Sequence, residues 1–382
     1  MRNTNMKNIS GIRFSTFLAA MIVSVIAQAY PGENVMLNSA GDYVITYWNT
    51  DLEPPGLETT TFITSTKIVP TVQSRFSIDR AGSIVYRYTI SNGIQAKQVL
   101  GLIIFDPVDS VIGTRDDRGI GKWGTAADTA ADAAARRAAL LVNEAALATP
   151  VGWDGSVMFG AGVRTDSTLR IGWDPTYNLA LEKDGEGIKP GSTVRGFGFS
   201  SYALPDIIVA ELTGDAPPHG WSGEGPDESS AIYNQIEQII QNDYVSRNVA
   251  VPSIPVPVPY DAAVLLDSIR ARMLAWSGKQ LLGPTFATQL DSHLVAAASA
   301  FRNNQPNAGR EQIESVRKML EHEHYYLDHD DEDHEETAEH KAATRLTIDR
   351  LAARVLDFDL RYVLKRTEHE HEHDEGDRRK ER

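Results

Sequence analysis

The chain has 382 residues, with 37 lysines and arginines against 52 aspartates and glutamates, and no cysteine. A formal charge of −15 repels phosphate backbones and anionic lipid surfaces, so nucleic acid and membrane surfaces are excluded as main partners. Without a thiol there is no cysteine nucleophile, no disulfide framework and no lipoprotein anchor, and packing alone must hold the fold. The length predicts two domains rather than one small core.

Residues 1–29 read as a signal peptide. Arg2, Lys7 and Arg13 form a basic start, Phe14 to Ile26 is apolar, and Ala27-Gln28-Ala29 is an A-x-A cleavage pattern. The mature chain is expected to begin at Tyr30, to be exported to the periplasm or cell exterior, and to carry no later membrane span.

Residues 30–215 read as an antiparallel β-sandwich. Strand patterns cover Asp42 to Trp48, Thr59 to Val69 and Ser83 to Ile90, the last with Ile84, Tyr86, Tyr88 and Ile90 on one face. Asn92-Gly93 predicts a tight turn into a paired strand over Gln98 to Phe105. A helical insert is expected near 125–148, where alanine dominates, laid over an edge or end of the sheets. Strand signals resume at Gly155 to Phe159 and Leu169 to Trp173. The strand after Pro190-Gly191 points Phe197 and Phe199 into a core, sets Gly196 and Gly198 against a second layer, and stops at Pro205. Ile207 to Leu212 reads as the last strand.

Residues 216–248 read as a connecting loop and helix, with Ile232, Ile236, Ile239 and Ile240 on one side. The run VAVPSIPVPVPY, residues 249–260, reads as a proline-rich spacer holding two domains apart. Residues 261–366 then read as a small up-down helical bundle. Asp261 caps the first helix, and one-sided stripes such as Phe286, Leu290 and Leu294 must pack together. Residues 367–382 are expected to be a disordered acidic, histidine-bearing tail. The fold class is multidomain, β then α.

The run FATQLDSHLVAAASAFRNNQPNAGREQIESVRKML, with its L-x-x-x-L-x-x-A pattern and N-x-x-A-G turn, resembles the central hairpin of the FIMAH-type helical module of secreted bacterial multidomain proteins. The likeness covers about 100 residues near 261–364. It implies an accessory role in an exported protein and brings no catalytic residues.

Eight of ten histidines lie in two acidic segments, the first holding His322, His324, His329, His334 and His340, the second His369, His371 and His373. Imidazole with carboxylate suits zinc, nickel or copper, so these are the candidate metal ligands for weak capture, against a solvated acidic surface as the simpler reading. Gly152-Trp153-Asp154 recurs as Gly172-Trp173-Asp174, and Trp221 follows another turn. Exposed, these tryptophans with Asp154 and Asp174 would stack on sugar rings; as strand-end aromatics they would be core, the favoured reading. No G-x-S-x-G elbow and no H-E-x-x-H helix is present, and no cofactor fingerprint is found. The sequence therefore reads as an exported, non-catalytic binding or structural protein. Its partner would be an extracellular or periplasmic protein or glycan, with metal capture second and carbohydrate recognition third.

Overall fold

A computed structural model of the chain describes residues 30–114, 130–159, 169–178, 183–216, 225–329 and 347–380. The expected signal peptide, the start of the 125–148 insert, Trp221, His334 and His340 lie outside the described residues. The first half carries β1 (Asn34–Leu37), β2 (Tyr43–Asn49), β3 (Gly56–Phe62), β4 (Pro70–Ile78), β5 (Ile84–Asn92), β6 (Leu100–Val108) and α1 (Ala130–Ala145). Then follow β7 (Trp153–Phe159), β8 (Leu169–Pro175), the short β9 (Tyr177–Asn178) and β10 (Lys183–Asp184), β11 (Thr193–Ser201) and β12 (Leu204–Gly214). The remainder is α2 (Ala231–Gln241), β13 (Val245–Ile254), α3 (Ala262–Gly278), α4 (Pro284–Arg302), α5 (Pro306–His329) and α6 (Arg350–Lys380). The order is broadly β then α, with antiparallel sheets first and two helices interleaved among the strands.

The chain divides into two compact units, and not where the sequence predicted. One unit combines residues up to Phe62 with His219–Gln241. Its β1–β2–β3 meander buries Ile45, Tyr47 and Phe62 with Ile232 and Ile236 of α2. The buried Asn49 amide donates to the Glu58 carboxylate, which also accepts from the Tyr47 hydroxyl, so these three polar groups are paired with one another.

The other unit holds everything else, and its sheets and helices share one core. The three-stranded sheet runs β11–β5–β4 and the five-stranded sheet β13–β12–β6–β8–β7. Period-2 alternation puts Ile84, Tyr86, Tyr88 and Ile90 inward from β5, as expected. Tyr88 lies edge-on to Phe105 of the other sheet, with centroids 4.7 Å apart, and its hydroxyl donates to the Ala250 carbonyl at 2.9 Å. The Tyr86 hydroxyl donates to the Ala203 carbonyl at 2.8 Å. Each buried phenol therefore keeps a partner as well as its apolar contacts.

Five sequence expectations change here. Residues 249–254 are not spacer: β13 pairs along β12, and Val249, Ala250 and Val251 are fully buried. Of the four prolines in the run only Pro252 enters the ladder, which ends with Ile254 opposite Leu204, and as β13 is the outermost strand its other edge needs no proline N–H. Nor are sheets and helices held apart. Phe76 of β4 meets Phe358 of α6 edge-on at 4.9 Å, and the Arg354 guanidinium donates to the Ser74 carbonyl at 2.9 Å. Asn92-Gly93 does not close a hairpin; β5 pairs with β4 and β11, while β6 pairs with β12 and β8. The Asn92 side chain instead donates to the Gln98 and Ile188 carbonyls and accepts from the Val69 N–H, fixing a crossing between sheets. The hairpin lies one turn earlier, where Asp79 accepts from the Ala81 and Ser83 N–H groups and Gly82 sits at φ +83. Pro205 stops nothing: β11 ends at Ser201 and Pro205 lies near the start of β12, at a register shift. Finally, the backbone stays helical to Lys380, where a disordered tail was expected.

Other expectations hold. Asp261 caps α3 through bonds from the Ala263 and Val264 N–H groups, and Phe197 and Phe199 are buried. The described part of the alanine-rich insert forms α1, which packs on β7 at the edge of the five-stranded sheet. Ala148 just beyond it bridges Gly198 on the edge strand β11.

Candidate binding face

The tryptophan turns do not form a sugar platform. Trp153 is 6 % exposed and Trp173 fully buried, the latter edge-on to Phe105 and Phe197 and stacked with Phe199. Alternation along β7 and β8 turns each ring inward and leaves Asp154 and Asp174 exposed on the opposite side. Asp154 accepts from the Thr176 hydroxyl at 2.9 Å. The rings are strand-end core aromatics, the reading the sequence favoured.

Of the histidine candidates, His322 is exposed on α5 and lines a shallow hollow with Phe286, Gln289, Lys318 and Met319. A neighbouring ammonium opposes cation binding there. His324 and His329 continue α5, and His369, His371 and His373 lie on α6; the side chains of these five lie outside the described part of the structure. Among the described residues no three histidine or carboxylate side chains converge as a metal site.

A buried acidic pair was not anticipated. Asp206 of β12 is 4 % exposed and Asp359 of α6 is 1 % exposed. Asp206 accepts from the Trp276 indole N–H at 2.7 Å, and its second oxygen lies 3.7 Å from Arg272 Nε. Asp359 Oδ1 has no hydrogen-bond partner. Burial, and then the Asp206 charge, push the Asp359 carboxyl well above the usual carboxylate range. Asp206 ties α3 to the sheet, and Asp359 of α6 lies close enough to feel its charge. The sequence signal was present but faint: a lone Asp inside the apolar stretch LPDIIVA and another inside the α6 stripe.

The outer face of β11–β5–β4 stands out in charge. Register sets four rows across it: Thr71–Ser91–Thr193, Gln73–Thr89–Arg195, Arg75–Arg87–Gly198 and Ser77–Val85–Ser200. Three positions are arginine and none is acidic, on a chain whose net charge is −15. Arg75, Arg87 and Arg195 are exposed, and among the described residues none enters an ion pair. Arg75 lies directly opposite Arg87, an unfavourable cross-strand pairing of like charge. Two glycines shape this face. Gly196 takes φ +108 at the bulge that keeps Arg195 on the outer side, and a Cβ on Gly198 would fall 2.2 Å from the Tyr86 carbonyl oxygen and 3.3 Å from an Arg87 nitrogen. The glycines thus serve the sheet's own bulge and a close neighbouring strand, where the sequence had pointed to a second layer.

Chemically the face offers three guanidinium forks amid rows of hydroxyls, a set matched to carboxylates or sulfates. Comparison of the chain with protein-family models, with curated proteins and with solved structures gives no match, so the functional reading rests on this geometry and on the sequence.

Proposed function

We propose that this chain is an exported, non-catalytic binding protein. In this reading its two large sheets form a β-sandwich that makes the contact through the outer face of β11–β5–β4, and helices α3–α6 act as an accessory bundle. The supporting observation is that face: exposed, polar, basic and free of acids on an otherwise acidic chain. The ligand class is a polyanion rich in carboxylate or sulfate, carried by a periplasmic or extracellular protein or glycan.

The test is binding of poly-L-glutamate to the mature chain, beginning at Tyr30, at about 50 mM and about 0.5 M salt. Binding at low salt that is lost at high salt, and lost in the Arg75→Gln/Arg87→Gln/Arg195→Gln variant, is the expected result. Equal binding by parent and variant would remove the face from the reading.

Divalent-metal capture is the second reading, favoured by one observation. The helical backbone of α6 through residues 369–373 sets positions 369 and 373 one turn apart on a shared face. Zinc calorimetry on the parent and on His369→Gln/His373→Gln checks it; identical heats end that reading.

A further inference from the structure

We infer that the smaller unit holds a seat for the amino terminus made by signal cleavage, in which the α-ammonium of Tyr30 pairs with the Glu33 carboxylate. The inference rests on the reading of the chain as exported and cut after Ala29. Its first support is the set of contacts that converge on the residue following that cut. The Tyr30 N–H donates to Glu33 Oε2 at 2.9 Å, and the Glu33 N–H donates back to the Tyr30 carbonyl at 3.2 Å. Pro31 and Gly32 fill the centre of this turn, with Gly32 at φ +97, which glycine adopts without strain. A Cβ on Gly32 would fall 2.6 Å from Leu57 Cδ1, so the turn lies close against β3. The Tyr30 ring stacks on Trp48 of β2, with centroids 5.4 Å apart and planes at 18°.

The same carboxylate finishes the sheet. β1 pairs with β2 no further along than Asn34 opposite Thr46. Beyond that pairing the Trp48 N–H donates to Glu33 Oε1, at 2.9 Å, where a neighbouring strand would otherwise accept. Glu33 is half-buried, and among the described residues no basic side chain pairs with it. Its partners in the turn are two backbone N–H groups, one of which the cut transforms. Hydrolysis of the Ala29–Tyr30 bond adds water across it, leaving a carboxylate on Ala29 and an amine on Tyr30 that is protonated at neutral pH. The nitrogen already held at Glu33 Oε2 thereby gains a positive charge, and a neutral hydrogen bond becomes a charge-assisted one, about twice as strong. An uncleaved chain keeps an amide at that position and forgoes the gain. Processing therefore tightens the open end of the meander through Glu33, which also holds Trp48.

Two measurements test this. The intact mass of the chain exported by a bacterial host reports the cut, with a start at Tyr30 expected. Amide exchange at Trp48, followed by NMR on chain carrying isotope-labelled tryptophan, reports the seat. It is compared in full chains that begin at Tyr30 or at Ala27, each with and without Glu33→Gln, a change that keeps an acceptor for the Trp48 N–H and removes the charge. With the Tyr30 start, Glu33→Gln should speed exchange at Trp48 about five-fold or more, and with the Ala27 start less than about two-fold. Unchanged exchange at Trp173, buried in the other unit, shows that the variants are folded. Equal acceleration from both starts, or none from either, overturns the inference and leaves the export reading standing if the mass gives Tyr30. A mass that places the start elsewhere overturns it too, and takes the cleavage reading with it.

Discussion

The two faces of β11–β5–β4 are made by alternate residues of the same strands and obey different rules. The inner face carries Tyr86, Tyr88, Phe197 and Phe199, each meeting a ring from a neighbouring strand or the opposite sheet, and the two phenols have assigned carbonyl partners. Every atom there is constrained by a neighbour. The outer face carries Arg75, Arg87 and Arg195 with hydroxyls between them, and the fold would be met equally well by other polar residues. A charge arrangement that folding does not require, and that opposes two like charges, points to a role outside folding.

The comparison breaks most sharply on the inner face. Trp173→Ala removes a fully buried ring from among Phe105, Phe197 and Phe199 and should cost about 3–5 kcal/mol, read as a lowered urea midpoint. A small loss would mean that the core around Trp173 is looser than these contacts imply. Gly198→Val tests the seam between the faces. Its Cβ would collide with the Tyr86 carbonyl oxygen, which is backbone and cannot swing away, so a loss of about 1–3 kcal/mol is expected, with Arg87 displaced as well. Retention of both stability and polyanion binding would show that the strands can spread there.

Asp359 gives a pH-dependent prediction beneath the inner face. An unfolded aspartate ionises near pH 3.9, whereas the folded Asp359 holds its proton to a higher pH because it is buried and close to Asp206. The native state therefore binds more protons, and the contribution of this group is complete below the unfolded value and falls as pH rises through the folded one. Asp359→Asn cannot ionise. Urea midpoints from about pH 5 to 9 should show the parent losing ground to the variant as pH rises; parallel curves would mean that Asp359 is already ionised in the folded chain. The smallest effect belongs to the outer face. Arg87→Gln should change stability by less than about 0.5 kcal/mol, with a lean towards stabilisation as the Arg75 opposition is relieved. A loss comparable with Trp173→Ala would tie the two faces together and remove the contrast.

Local periodicity made much of the fold legible. The alternation at Ile84 to Ile90, the Asp261 cap and the helical stripes were all readable, because each depends on residues a few positions apart. Partner choice was not. Asn92-Gly93 fits a hairpin turn locally, yet the Asn92 side chain bonds to carbonyls at 98 and 188, and no short window contains that information. VAVPSIPVPVPY matches a spacer in composition, but its first half is flanked by β12 and buried, so tertiary pairing overrode the proline signal. The arginine face was missed for a related reason. Arg75, Arg87 and Arg195 are scattered over 120 positions and become a patch only when β4, β5 and β11 align. The tryptophans illustrate the reverse, since their local motif stood out and their burial was decided by strand alternation.

The smaller unit is written in two instalments. Ile45, Tyr47 and Phe62 are synthesised early, and the isoleucines that cover them, Ile232 and Ile236, arrive about 170 residues later. At roughly 5–20 residues per second that interval is on the order of ten to thirty seconds. During it, one face of a three-stranded meander has no helix to cover it and must be kept from other hydrophobic surfaces. A chain threaded across a membrane before folding would meet this delay only after release, when both instalments are present at once. For this molecule the order of synthesis, more than the strength of any one contact, sets when the meander can be covered.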